Sequence, residues 1–241
     1  MAFTKAFTQK VLPTAYCIGT VSEISEPTYK ESSGYTTVKF KIAPVGSGKK
    51  CMSWMTFYPG ALADQKETKN QKRQFGQNIA RVLDKKYYQG YDPRLNDFDQ
   101  YTGLGKLEGL CGSPEVFDQV SNKVIEAFET AASMEDFLPV FHELLEPLVG
   151  TKVGYIMKQQ FVDSGDTKEV NGKIYAIKIP GQYLELAGMF YPDEKTLEII
   201  DSVVDDYNNR TPSATETYPD HKAVKYYTNE IPFDTFAAGD N

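Results

Sequence analysis

Hydrophobic and polar positions alternate along three segments near the start of the chain. Residues 14–24, "TAYCIGTVSEI", are rich in β-forming residues and alternate, and residues 35–48 follow after a Pro-, Ser- and Gly-containing turn. The apolar positions of the second segment share one face and its lysines share the other: Val38, Phe40 and Ile42 against Lys39 and Lys41. Residues 51–58, "CMSWMTFY", carry apolar residues at both parities. The pattern predicts a meander of three strands.

From residue 59 the alternation is lost. The chain first becomes polar and basic, with one short helical window near residues 75–85, and then rich in Gly and Tyr. Two segments, "SPEVFDQVSNKVIEAFETAAS" and "SMEDFLPVFHELLEPLVG", then show apolar residues at helical spacing after a serine typical of a helix N-terminus. Residues 59–150 are therefore interpreted as a helical insertion. Its apolar stripes are expected to cover one end of the β-structure, or alternatively to form a protein-contact surface.

Strand patterns return after the insertion. The segments "TKVGYIMKQQFVD" and "KIYAIKI" flank a polar turn and predict a hairpin, and "QYLELAGMFY" predicts a last strand. The segment "DEKTLEIIDSVVDDYNN" then predicts a helix with Leu197, Ile200 and Val204 on one face. After Asn209 the periodicity ends, and residues 210–241 are predicted to form a flexible acidic tail.

The order of these elements predicts a mainly β, α+β fold. Three strands, a helical insertion and two further strands are the order of a five-stranded OB-fold barrel with an α-helical insertion between strands 3 and 4. Other small β-barrels share this order. The predicted organisation is one OB-fold domain over residues 1–209, with the insertion at about 59–150, followed by the tail at 210–241.

Charge is distributed in blocks of opposite sign. The net charge is −7, but residues 1–110 carry +6, residues 111–150 carry −7, residues 151–180 carry +2 and residues 181–241 carry −8. Residues 66–86 hold seven Lys or Arg against two Asp or Glu. A lysine-rich segment is usually a solvated face, yet such asymmetry also marks nucleic-acid contacts.

Basic and aromatic residues are interleaved in both positive blocks, as binding of single-stranded DNA without sequence preference requires. The candidate DNA-binding residues are Tyr35, Lys39, Lys41, Trp54, Phe57, Tyr58, Lys72, Arg73, Arg81, Lys85, Lys86, Tyr87, Tyr88, Lys158, Phe161, Lys173 and Tyr175. Two alternatives stay open. Trp54 lies in a strand with apolar residues on both faces, which is more typical of a core residue than of a stacking platform. Tyr87 and Tyr88 could equally pack against the preceding helix.

Residues that could support catalysis or metal binding are few. No phosphate loop, nucleophile elbow or dinucleotide fingerprint is present, and the two histidines stand apart in the sequence. The three cysteines lack metal-site spacing and are interpreted as small buried hydrophobes. An acidic cluster near residues 198–206 is typical of a solvated helix face. We therefore expect a non-enzymatic protein without cofactor or metal.

Targeting signals are also missing from the sequence pattern. No window approaches the roughly 18 apolar residues of a membrane span, and the first residues lack the apolar run of a signal peptide. These features predict a soluble, cytoplasmic protein with no membrane partner.

Near its end the chain carries the segment "NEIPFDTF". In it, acidic residues surround Ile-Pro-Phe, and with the OB-like order this resembles the single-stranded DNA-binding proteins, in particular those encoded by bacteriophages. The resemblance implies a protein that coats single-stranded DNA during replication, recombination and repair, in the host cytoplasm. It also implies a tail that recruits replication or recombination proteins through Glu230, Ile231, Pro232, Phe233, Asp234 and Phe236.

Three functional classes remain open at this point. The first is the coating protein, whose self-association the sequence leaves undecided. The second is an adaptor for replication or recombination proteins, in which DNA contact is incidental. The third is a metal-dependent nuclease built on the acidic cluster near residues 198–206.

Overall fold

The computed structural model describes residues 11–45, 50–57, 83, 102–170, 172–212, 218 and 220–227. The strands in these ranges are β1 (Thr14–Ile24), β2 (Thr28–Lys30), β3 (Tyr35–Pro44), β4 (Cys51–Phe57), β5 (Lys152–Val170), β6 (Lys173–Phe190) and β7 (Ala223–Tyr226). The helices are α1 (Thr102–Leu110), α2 (Pro114–Thr130), α3 (Met134–Leu145) and α4 (Glu194–Asn209), with a 3₁₀ turn at Glu146–Leu148.

The strands join in a Greek-key order. β1, β3 and β4 form consecutive antiparallel pairs, and β5 returns after the long connection to pair with β1 on the side opposite β3. This is the spatial order 4-1-2-3 of a Greek key, with β6 added beside β5. The mainly β, α+β prediction is confirmed, as are the meander and the position of helices between its third strand and β5. Within the described ranges β4 and β6 are not paired, so the sheet is open and closure into a five-stranded barrel is not shown.

The hairpin of β5 and β6 is longer than predicted. Its second strand runs unbroken through Pro180 and Gly181, where the sequence predicted two separate strands. A register shift between Gln159 and Phe161 accommodates the proline, which cannot donate a ladder hydrogen bond. Gly181 fits there because a side chain would meet the backbone carbonyl of Gln160.

Helices pack on both sides of the sheet, α1, α2 and α3 on the inner side and α4 on the outer side, and this decides which strand positions are buried. On the inner face, Val38, Phe40 and Ile42 of β3 share a core cluster with Phe137 and Phe141 of α3. Burial of these α3 residues and of α2 positions in that cluster accounts for the apolar stripes of the insertion. Helices α2 and α3 begin at Ser113 and Ser133, whose hydroxyls accept hydrogen bonds from backbone N–H groups in the first turn, as predicted.

On the outer face, α4 covers only part of the sheet. Its Ile200 and Val204 pack with Tyr16 of β1, Ile156 of β5 and Phe190 of β6. The first half of β1 is consequently buried on both faces. The outer side of β3 and β4 lies beyond α4.

The folded chain continues past the predicted start of the tail. β7 pairs in parallel with β1, from Thr14 opposite Ala223 to Cys17 opposite Tyr226, and His221 just before it is buried. The prediction of a tail from residue 210 is therefore wrong for residues 221–227. A strand of four residues is too short to show a hydrophobic alternation, so the sequence did not predict β7. Its stabilisation comes from pairing with β1. Residues 228–241 lie outside the described residues.

Half of the 12 acidic residues in the last negative block, residues 181–241, belong to one helix of the fold and not to the predicted tail. Helix α4 and its N-cap hold Asp193 and five further acidic residues, Glu194, Glu198, Asp201, Asp205 and Asp206. Residues 228–241 hold three acidic residues and no basic one. The negative block at the end of the sequence is thus shared between one helix and the residues that follow it.

Candidate nucleic-acid interface

One exposed surface collects several of the predicted DNA-binding residues. We call it the β3–β4 outer face, and it consists of Tyr35, Thr37, Lys39 and Lys41 of β3 with Met52, Trp54 and Thr56 of β4. Successive side chains of a strand point to opposite faces, so these residues lie opposite the buried positions of the same two strands. The register places Lys39 beside Trp54 and Lys41 beside Met52. Thr37 and Thr56 share a hydrogen bond of 2.9 Å between their hydroxyls.

Trp54 is the most exposed of the large apolar residues on this surface. Its side chain is 60% exposed, whereas Cys51, Ser53 and Met55 of the same strand are buried. The interpretation of Trp54 as a core residue is therefore wrong. The sequence of β4 has apolar residues at both alternate sets of positions, but in the structure only the set that faces the inner core is buried. Met52 is also exposed, and Tyr35 lies at the far end of β3 with 40% of its surface accessible.

Lys106 of α1 also contacts Trp54 and its neighbour Ser53. Its ammonium donates hydrogen bonds to the Trp54 carbonyl at 2.8 Å and to the Ser53 hydroxyl at 3.2 Å. It also lies 5.9 Å from the centroid of the Trp54 ring, within the range of a cation–π contact. Partial burial lowers the pKa of Lys106, while Cys51 and Glu185 oppose that shift. The sequence did not predict this residue as part of the site, because α1 lies in the Gly- and Tyr-rich segment, where no helix was predicted.

The two lysines of β3 differ in their surroundings. Lys39 is exposed directly opposite Trp54. Lys41 forms an ion pair of 2.9 Å with Glu23 of β1. Exposed pairs of this kind contribute about 0–1 kcal/mol, so exchanging Glu23 for a phosphate would cost little.

Lys158, Phe161 and Lys173, also predicted to bind DNA, lie on β5 and β6 and not on the β3–β4 outer face. Lys158 is 4% exposed, so it does not form part of this surface, and its contact with DNA stays a prediction. Burial lowers its pKa to about 8, opposed by the charge of Glu185, its neighbour across the β5–β6 ladder. The ring of Phe161 lies half-buried, 5.2 Å from that of Tyr218. Lys173 is exposed at the hairpin tip.

The remaining predicted residues cannot be placed on a surface. Tyr58, Lys72, Arg73, Arg81, Lys85, Lys86, Tyr87, Tyr88 and the tail from Glu230 to Phe236 lie outside the described residues, as do the side chains of Phe57 and Tyr175. Within the basic stretch only Leu83 is described, and it is buried in the cluster beneath α4. Leu83 itself therefore lies on the side of the sheet that α4 covers.

Other chemical sites have no support in the described part of the chain. No group of three or more His, Cys, Asp or Glu side chains there is arranged to hold a metal ion. The three cysteines are buried and unbridged, as predicted. Among the described helices, none combines the length and apolar character needed to cross a bilayer.

Comparison with known proteins returns no relative for this chain. No protein-family model, curated protein or solved structure matches it.

Proposed function

We propose that the protein binds single-stranded DNA without sequence preference and that the β3–β4 outer face is its contact surface. The observation that carries this proposal is Trp54, an indole 60% exposed on the outer face of the strand β4. It has Lys39 across the ladder on one side and the Lys106 ammonium 5.9 Å from its ring. No element in the described part of the chain buries this large aromatic side chain, and a stacked base would cover it.

The physical chemistry of the surface favours a single strand over a duplex. Stacking on an aromatic side chain contributes about 1–3 kcal/mol per base and needs a base whose flat face is accessible. Bases within a duplex are already stacked on each other. The flanking lysines supply the phosphate contacts, each of which makes affinity fall with salt by a slope of about 0.7 on logarithmic axes.

The experiment uses the only tryptophan in the chain as its own reporter. Trp54 is that residue, so all indole fluorescence comes from the proposed contact. Titration with oligothymidylate is expected to quench this emission, more weakly at about 200 mM salt than at about 50 mM. A hairpin duplex of the same length should quench little.

A matched pair of variants tests the contact itself. Trp54→Ala should weaken oligonucleotide binding, measured by anisotropy of a labelled strand, by about tenfold or more, as expected for losing one stacked base. Ile199→Ala removes an exposed apolar side chain from α4 and should leave affinity unchanged. Equal binding by Trp54→Ala and the unmodified protein would refute the proposal.

The wider role follows from the resemblance noted above. A protein with this activity would coat single-stranded DNA during replication, recombination and repair, and residues 228–241 would contact partner proteins through Phe233 and its neighbours. The segment available for this purpose is shorter than the sequence suggested, because β7 occupies residues 223–226.

A further inference from the structure

We propose that Lys106 positions Trp54 for stacking, so that α1 is part of the contact surface and not merely a cover for the core. This inference rests on the proposed function for its biological meaning. The geometry that supports it is a property of the DNA-free protein.

Helix α1 holds Lys106 firmly. Leu107 and Leu110, which follow Lys106 in the helix, are fully buried in the inner core, and Glu108 accepts a hydrogen bond of 2.9 Å from the Tyr191 hydroxyl. Lys106 therefore projects from an anchored element toward β4. A side chain projecting from an anchored helix loses less freedom when it makes a further contact than one on a mobile segment.

The ammonium of Lys106 makes three contacts with two adjacent residues of β4. It bonds the carbonyl of Trp54 and the hydroxyl of Ser53, and it lies near the indole ring. A hydrogen bond to the Trp54 carbonyl fixes the strand backbone from which the side chain rises. The cation–π contact favours ring orientations that keep the ring near the charge. The hydrogen bond thus orders the backbone and the cation–π contact restricts the indole before any base arrives, which reduces the ordering cost of binding.

A simpler role for Lys106 makes different predictions. Among the described strands β4 pairs only with β3, so a lysine bonded to its backbone carbonyl could serve just to satisfy that hydrogen-bond acceptor. Removing it would then lower the thermal stability without changing the environment of the Trp54 ring. The indole spectrum separates the two roles because a backbone contact alone does not restrict the ring.

The test compares Lys106→Met, Lys106→Arg and the control Lys123→Met, an exposed lysine of α2. Without DNA, Lys106→Met should shift the Trp54 emission maximum and raise its quenching by acrylamide. Lys106→Arg should restore both, and Lys123→Met should resemble the unmodified protein. With oligothymidylate, Lys106→Met should weaken binding by about fivefold, as expected for losing a cation–π contact together with a hydrogen bond to a charged group.

The outcomes separate this proposal from the proposed function. An unchanged emission maximum and quenching constant in folded Lys106→Met would overturn the positioning role, whatever the DNA result. If the emission shifts as expected but the unmodified protein binds no oligonucleotide, the positioning role is supported and the proposed function is refuted. A circular dichroism melt of each variant establishes that it is folded.

Discussion

His221 makes the folding stability depend on pH, and the structure indicates how strongly. The side chain is 4% exposed, with Nδ1 2.9 Å from the Tyr207 hydroxyl and Nε2 3.3 Å from the Thr14 hydroxyl. Burial lowers its pKa from 6.5 to about 4, helped by the charges of Lys158 and Arg210 and opposed by a backbone hydrogen bond involving Leu12. The fold thus requires the neutral imidazole.

The direction and size of the effect follow from linkage. A histidine whose folded pKa is depressed contributes its full stability above the unfolded pKa, and that contribution is lost as pH falls toward the folded pKa. At 1.36 kcal/mol per pKa unit, the difference between 6.5 and about 4 corresponds to about 3 kcal/mol, most of it lost by about pH 4.5.

The assay is urea unfolding of the unmodified protein and of His221→Gln at about pH 7.5, 5.5 and 4.5. Glutamine retains hydrogen-bonding groups but does not titrate, so the difference between the two proteins isolates this residue from the carboxylates. His221→Gln should be less stable at pH 7.5, and the gap should shrink by about 2–3 kcal/mol by pH 4.5. A gap that is the same at all three pH values would refute the reasoning.

Two further predictions concern the end of the fold and the cysteines. A chain ending at Tyr227 keeps β7, and its melting temperature, measured by circular dichroism, should lie within a few degrees of that of the full chain. A chain ending at Asn209 loses β7 and His221 and should melt well below it. Equal melting temperatures of the two truncated chains would contradict the structural role of β7. Burial raises the pKa of Cys17, Cys51 and Cys111 to about 12, so a chromogenic disulfide reagent at about pH 8 should label all three only after denaturation. Rapid labelling of the native protein would contradict their burial.

The sequence was most informative where a pattern is local. Alternation along β3 places Val38 and Phe40 inside and Lys39 outside, and the structure agrees, because a strand with one covered face must alternate. Serines at the starts of α2 and α3 predict those helix N-termini for an equally local reason, the capping of backbone N–H groups in the first turn. The order of strands around the helical insertion is also present in the sequence.

Positions governed by contacts between distant segments could not be predicted in the same way. Trp54 and Lys158 both lie in β-strands, yet the indole is 60% exposed and the lysine 4%. Exposure depends on which other elements pack on that part of the sheet, as α4 does over Tyr16, Ile156 and Phe190. β7 forms by pairing with residues 14–17 of β1, and the four residues "AVKY" are too few to predict a strand by alternation.

The sequence by itself therefore determined the fold class, the strand parity and the mixture of basic and aromatic residues. Only the tertiary structure decided that Trp54 faces solvent and that Lys106, 52 residues away in the chain, meets it. The physical reason is that periodicity records which face of an element is apolar, whereas exposure depends on whether another element packs against that face.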